Sequence, residues 1–219
     1  MPVRSVPGSA SIANPEGGKL FAPSAERNRA VLSNLLEQVA PASGCNALEL
    51  ASGTGQHVTG YATRLPQYSW QPTEADPGRL QSIDAHVAEA GLNNVRPAIS
   101  LDATSAGWGA AQASQDLIML SNLLHLISAA EAQCLIREAA HALAIGGRLV
   151  IYGPFSRGGE LTSPGDERFH ASLQAHDPET GYKDDFDLLD WAEAAGLTPV
   201  KVIEMPANNL AFVFSKDTL

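Results

Sequence analysis

The residues best suited to chemistry gather around Glu49-Leu50-Ala51-Ser52-Gly53-Thr54-Gly55 and the acids and histidines that follow it. Two glycines after an apolar strand let the chain turn tightly and let a ligand approach the backbone. A helix opening at Gln56 then presents unpaired N–H groups to that ligand. Asp76, with Glu74 as its competitor, and Asp102 close the next two strands. An acid at such a place accepts hydrogen bonds from ribose hydroxyls or other ligand donors. Taken singly, each acid is a loop residue or a helix cap. Glu49, Asp76 and Asp102 at three successive strand ends together outline a ligand crevice. A loop that grips pyrophosphate needs a third glycine three residues after the second, where this chain has Val58, so a nicotinamide dinucleotide is disfavoured.

His125 follows the fourth strand in Ser121-Asn122-Leu123-Leu124-His125, at the end of the sheet where open α/β folds bind ligands. It is the first choice for a general base or acceptor-orienting group, against the alternative of a packed histidine bonded to backbone. His57, just after the glycine loop, is expected to support that loop or its ligand. Tyr152, a second catalytic candidate, and Phe155 end the fifth strand, where aromatic walls suit a planar or cationic substrate. Asn208 and Asn209 lie between the last two strands and either bond the acceptor or make the turn. Asp184, Asp185 and Asp187 open a helix, where carboxylates favour the N-terminal dipole, so no metal site is expected.

These residues need elements to hold them. Ser24 reads as an N-cap and apolar spacing predicts a helix from there to Val39, ended before Pro41, with further helices over 56–64, 78–90, 129–144 and 185–195. Strands are expected over 47–51, 68–73, 95–101, 116–120, 148–152, 199–204 and 210–215. Alternation of strand and helix implies right-handed crossovers and a parallel sheet. The last two strands, joined only by 206–209, can pair only as an antiparallel hairpin. The expected fold is therefore α/β and Rossmann-like: a mostly parallel seven-stranded sheet with an antiparallel last strand and helices on both faces. The span 153–182 reads as a loop over the acceptor. Residues 1–24, rich in Pro, Gly and Ser, read as a flexible segment or lid, and 25–219 as one domain.

The acidic strand end and small-residue loop resemble the first motif of class I S-adenosylmethionine (SAM) methyltransferases, with Ala51 in place of the usual first glycine. That resemblance implies SAM as cofactor, with S-adenosylhomocysteine as product. Glu49 would help hold the SAM ammonium, and Ala51, Ser52, Gly53, Gly55 and His57 would form or support its bed. Asp76 would meet the ribose, Asp102 with Ala103 the adenine, and Ser121 and Asn122 would flank the cofactor. Several segments are similar to the methyltransferase-like protein 26 family: Ala25-Glu26-Arg27-Asn28, Glu49 to His57, Trp70-Gln71-Pro72-Thr73, Leu101-Asp102-Ala103-Thr104, Asn122 with His125, Tyr152-Gly153-Pro154-Phe155 and Met205-Pro206-Ala207-Asn208-Asn209. Arg27 and Asn28 would fold over the methionyl carboxylate. Thr180 stands where that family usually has Trp, and His170 where an Asp commonly follows the Phe, so acceptor preference is expected to differ. The resemblance implies fold and cofactor rather than a substrate.

Lys plus Arg number 14 against 24 Asp plus Glu, a net charge of -10. An acidic surface argues against a nucleic-acid partner, which needs clustered cations. The Asn-Pro-Pro-Tyr type segment of amino-group nucleic-acid methylases is also absent after the fourth strand. Two cysteines are too few for a disulfide framework, and no apolar run approaches the ~20 residues of a membrane helix. The expectation is a cytoplasmic enzyme acting on O, N or S of a small-molecule acceptor, with no membrane or nucleic-acid partner and no oligomeric state legible. Its alternatives are a protein or peptide side-chain methyltransferase and a SAM-binding protein without turnover.

Overall fold

The computed structural model describes residues 18–217. Expectations placed on residues 1–17 lie outside the described residues. The chain runs α1 (Pro23–Val39), β1 (Asn46–Leu50), α2 (Gln56–Arg64), β2 (Ser69–Glu74), α3 (Pro77–Glu89), β3 (Ile99–Ser100), α4 (Trp108–Ala111) and β4 (Gln115–Ser121). A single turn (Leu124–Leu126) leads into α5 (Ala129–Ala142), β5 (Leu143–Ser156), α6 (Pro164–His176), β6 (Lys183–Asp184), α7 (Asp185–Ala194), β7 (Thr198–Met205) and β8 (Asn209–Ser215).

The main sheet has the order β3-β2-β1-β4-β5-β8-β7, and the short β6 pairs with β5 off that path. Pairs among β1 to β5 are parallel; β8 runs antiparallel to both β5 and β7. Strand order reverses direction between β1 and β4, and a crevice must open beyond their carboxyl ends.

Alternation along the central strands buries both sheet faces. Leu48, Leu50, Ile118 and Leu120 pack under Leu135 and Ile136 of α5 and Leu188 of α7. Ala47, Leu117 and Met119 point the other way, to Leu32 and Leu36 of α1, Tyr61 of α2 and Ile83 of α3. Ser128 closes a capping box with Glu131 at the start of α5. No helix among the described residues is long and apolar enough to cross a membrane.

Several local outcomes differ from the sequence expectation, β5 among them, which runs over Leu143–Ser156 where a helix to 144 and a strand over 148–152 are expected. Helix α1 begins at Pro23 with Ala22 as N-cap, so proline at the first helical position does the work expected of Ser24. Strand β3 has two residues rather than seven, because Pro97 lacks an N–H for the ladder and only an isolated bridge, Trp70 to Val95, precedes it. The expected loop 153–182 contains α6, capped by Ser163 with Pro164 at its first turn.

Gly55 is the tightest of the loop glycines. Its φ is 94°, and a Cβ there would stand 2.6 Å from the Ile83 Cα of α3. Left-handed strain and backbone overlap act together, so Gly55→Ala should destabilise the fold by about 2–4 kcal/mol. Urea unfolding at neutral pH would check this, and an unchanged midpoint would contradict the close α2–α3 packing.

Candidate functional site

At the carboxyl end of β1 the chain passes through Ala51 (φ 50°) and Gly53 (φ 60°) before Gly55 opens α2. Ser52 N–H donates to the Thr73 carbonyl at 2.8 Å, tying the loop to β2. The neighbouring β4 leads directly into Asn122, also left-handed at φ 55°, a conformation asparagine tolerates better than most residues. Between these two turns lies a cavity of about 850 Å³. Ala51, Ser52, Gly53 and Thr54 line one side, and Ser121, Asn122 and Leu123 the adjacent one. The first turns of α1 cover it with Ala25, Arg27 and Asn28, and Phe169, Tyr182 and Pro206 close the far side.

The expected acids divide in an unexpected way. Glu49 is 1% exposed, and neither carboxyl oxygen meets a hydrogen-bond partner. Burial pushes its pKa up to about 8, with Ser52 offsetting part of the rise and Glu74 adding to it. Glu49 shares a sheet face with Ala47 by strand alternation and does not line the cavity. Asp76 is the N-cap of α3, its Oδ1 accepting from Arg79 N–H at 3.0 Å. Glu74 ends β2 with Oε2 accepting from Gly53 N–H at 2.9 Å and Oε1 accepting from Ala75 N–H at 2.9 Å. Its Oε2 also lies 3.9 Å from Arg79 Nη1, and both Gly53 and Arg79 line the cavity. Asp102 holds its own turn, Oδ1 accepting from the Thr104 amide and hydroxyl at 2.9 and 2.7 Å. Asp102, Ala103 and Gly55 are not on the cavity wall.

Both expected histidines line the cavity. His57 Nε2 lies 2.7 Å from the Asn28 amide. Turning that amide so its nitrogen faces Nε2 also brings the nitrogen 2.9 Å from the Ser24 and Ala25 carbonyls, so the network assigns Asn28 as donor. His57 Nδ1 then carries the proton toward Ser121 Oγ at 3.3 Å. Burial lowers its pKa to about 4. His125 is 5% exposed and lines the cavity, and its ring nitrogens have no hydrogen-bond partner among the described residues. Burial, helped by the charge of Lys183, lowers its pKa to about 3. It is therefore neutral near pH 7, with its ring on the cavity wall.

Tyr152 lines the cavity and interacts with the Asn28 side chain, while burial raises its pKa. Phe155 does not reach the cavity. Three residues on, it emerges on the opposite sheet face, 3% exposed and edge-on to Phe212 at 4.9 Å, which corrects its expected substrate role. Asn209 lines the cavity, with Nδ2 donating to the Pro206 carbonyl at 3.0 Å. Asn208 lies behind the wall: its Oδ1 accepts from Arg157 Nη2 at 3.2 Å, and its Nδ2 donates to Thr162 Oγ1 and Asp166 Oδ2. Asp184 and Asp185 serve the start of α7, accepting from the Phe186 amide at 3.1 and 3.0 Å. Among the described residues no cluster of three or more His, Cys, Asp or Glu has metal-site geometry.

The described part of the N-terminal segment is pinned rather than hanging free. Leu20 N–H donates to Ser82 Oγ at 2.7 Å, Ala22 N–H to Gln56 Oε1 at 2.7 Å, and Lys19 pairs with Glu89. Residues unforeseen as site elements are Phe169 and Tyr182, aromatic side chains in the span read as an acceptor loop, and Arg79, two residues past an Asp-Pro helix start.

Solved structures with this architecture include an O-methyltransferase family protein from Burkholderia thailandensis, at TM-score 0.78 and 18% identity over 89% of this chain and 57% of that one. The S-adenosylmethionine-dependent methyltransferase SibL matches at TM-score 0.73 and 20% identity, over 89% of this chain and 56% of its own. Human N-acetylserotonin methyltransferase in complex with SAM matches at 0.71 and 13%, over 89% and 52%. The chain thus spans under two thirds of the length of these proteins, and the likeness establishes the class I methyltransferase fold. A family model described as protein of unknown function (DUF938) matches residues 19–216. The chain therefore belongs to that family, whose fold here is the α/β Rossmann-like sheet of class I methyltransferases.

Proposed function

We propose that this chain is a SAM-dependent methyltransferase acting on O, N or S of a small-molecule acceptor, akin to the methyltransferase-like protein 26 group its motifs resemble. The observation that carries this is the cavity at the β1–β4 crossover, where an open glycine turn and an unpaired cation meet, with Glu74 bonded to the back of that turn through Gly53 N–H. The residues present fit the cofactor. A Cβ on Gly53 would meet nothing nearer than the Ala51 carbonyl at 4.0 Å, so a ligand can lie against that backbone. Arg27 lines the cavity and has no hydrogen bond or ion pair among the described residues, leaving its guanidinium for a carboxylate. Glu74, beside Gly53 and Arg79, is the acid we assign to the ribose hydroxyls, with Asp76 capping α3.

SAM supplies a methyl group on cationic sulfur, open to in-line attack. This chain's contribution is alignment. His125 accepts a hydrogen bond from the acceptor's nucleophilic group and orients it, since burial beside Lys183 opposes a full imidazolium charge. Asn28 fixes His57 and Tyr152 on the cofactor side, and the apolar far wall excludes water. The enclosing α1 and α6 favour a small molecule over a folded protein.

Calorimetric titration with SAM and with NAD tests the cofactor: saturable SAM binding without NAD binding is expected, and the reverse would overturn the proposal. His125→Ala should keep SAM affinity within about twofold and cut labelled-methyl transfer into a metabolite extract by about 10²–10⁴-fold. Because the His125 pKa sits near 3, wild-type transfer should hold down to about pH 5, well below the point where an ordinary histidine base is half protonated. Loss of half the activity near pH 6.5 would mean that the acceptor is not oriented by a neutral His125 ring.

A further inference from the structure

Resting on the methyltransferase reading above, we infer that the acceptor is a planar aromatic compound, uncharged or anionic, held against a wall of three rings from His125, Phe169 and Tyr182. The His125 ring lies 5.6 Å from Phe169 at 59° and 6.3 Å from Tyr182 at 70°, and Phe169 and Tyr182 stand 6.1 Å apart at 71°. The two pairs with Tyr182 are edge-to-face and the His125–Phe169 pair is tilted, arrangements that leave faces and edges free for another ring. All three rings line the cavity across from the glycine loop, joined by Leu123, Leu126 and Pro154.

The rings come from three separate segments and are fixed from behind. Tyr182 donates its hydroxyl to Asp166 Oδ1 at 3.0 Å and its backbone N–H to His170 Nδ1 at 3.0 Å. Asp166 Oδ2 in turn accepts from Ser163 Oγ and Asn208 Nδ2. Asn208 does this from a strained turn in which it and Ala207 both hold left-handed φ, 62° and 58°. With the Tyr182 hydroxyl committed, that side chain offers the cavity its ring and not a hydrogen bond. The free nitrogens of His125 remain to meet the acceptor's nucleophilic atom.

Charge selects among aromatic ligands. An aromatic cage can also hold a quaternary ammonium, but such cages work best where the surrounding field is negative. Here the cavity wall carries no carboxylate among the described residues, and with Arg27 given to the cofactor's carboxylate and Arg79 facing Glu74 no negative field is left to attract a cation. The buried Lys183 ammonium, donating to the Ile127 and Gly181 carbonyls at 2.7 and 2.9 Å, adds positive potential beside His125. A cationic acceptor is opposed, and a phenol-like or carboxylated ring is accepted.

The test is calorimetry on the full chain, with and without saturating S-adenosylhomocysteine, using naphthol, its saturated counterpart decahydronaphthol, and phenyltrimethylammonium as probes. Naphthol should bind about tenfold or more tighter than either other probe. Phe169→Leu and Tyr182→Leu should erase most of that preference while SAM affinity stays within about twofold, and Tyr182→Phe should retain it. Equal binding of naphthol and decahydronaphthol, tighter binding of the ammonium probe, or no naphthol binding would overturn the inference. Ring preference in a protein that ignores SAM would instead overturn the cofactor reading and leave the aromatic site standing.

Discussion

Glu74→Gln is expected to weaken SAM binding by about 10–100-fold, whereas Asp76→Ala leaves it within about threefold and instead costs about 1 kcal/mol of stability. The contrast follows from what each carboxylate already holds. Asp76 Oδ1 accepts from Arg79 N–H, the ordinary duty of a helix N-cap. Glu74 grips Gly53 N–H through one oxygen and the Ala75 and Asp76 amides through the other. Its charge stands against the turn that must receive a polyhydroxylated ligand. Glutamine keeps the shape but must either turn an NH₂ toward the Gly53 N–H, donor against donor, or give up the amides on the other side. A hydrogen bond to a charged group is worth about 1.5–3 kcal/mol, which sets the expected loss. Calorimetry on both variants, with circular dichroism to confirm folding, decides between them. Should Asp76→Ala lose SAM and Glu74→Gln keep it, the ribose contact belongs to Asp76.

The scaffold was largely legible because its signals are local. The short apolar runs of β1 and β4, small residues after β1 and Gly-bounded helices each follow from neighbours in sequence. The acids beyond β2 were harder. Asp76-Pro77 is itself a helix-start signature, cap then proline at the first turn, which argues for Asp76 as cap and leaves Glu74 to end the strand. Phe155 and Tyr152 read alike in a row of strand-end residues, but three positions apart on a strand means opposite faces. Helix α6 had little periodic signal, since Phe169 and Leu173 are its main inward apolar residues. It is held by Ser163, Pro164 and a bond from Asn208, 42 residues away from Asp166. No spacing rule anticipates a contact at that separation. The aromatic wall was hidden for the same reason: its three rings lie on segments that only the tertiary fold brings together.

Stability should peak near pH 6.5 and fall on both sides, and Glu49→Gln should abolish the fall on the alkaline side. His57 and His125 have pKa values lowered to about 4 and about 3 from 6.5. As pH drops below 6.5 the unfolded chain takes up these two protons while the folded chain refuses them. Stability present above pH 6.5 is therefore lost on acidification, by up to about 1.4 kcal/mol per pH unit for each histidine. Glu49 acts in the opposite sense. Its pKa is raised from 4.5 to about 8, so between those values the folded chain holds a proton that the unfolded chain has released. Stability then declines as pH rises, by up to about 1.4 kcal/mol per unit. Between pH 4.5 and 6.5 two histidines outweigh one glutamate; above 6.5 the glutamate acts alone. Glutamine carries no charge, so at pH 8 the variant should be more stable than wild type by an amount on the order of 2–4 kcal/mol. Near pH 5 the two should be close, since wild-type Glu49 is then protonated in the folded protein. Urea unfolding of both proteins at pH 5, 6.5 and 8 measures the difference. Parallel curves above pH 6.5 would mean that Glu49 is ionised in the folded protein, with a partner for its charge.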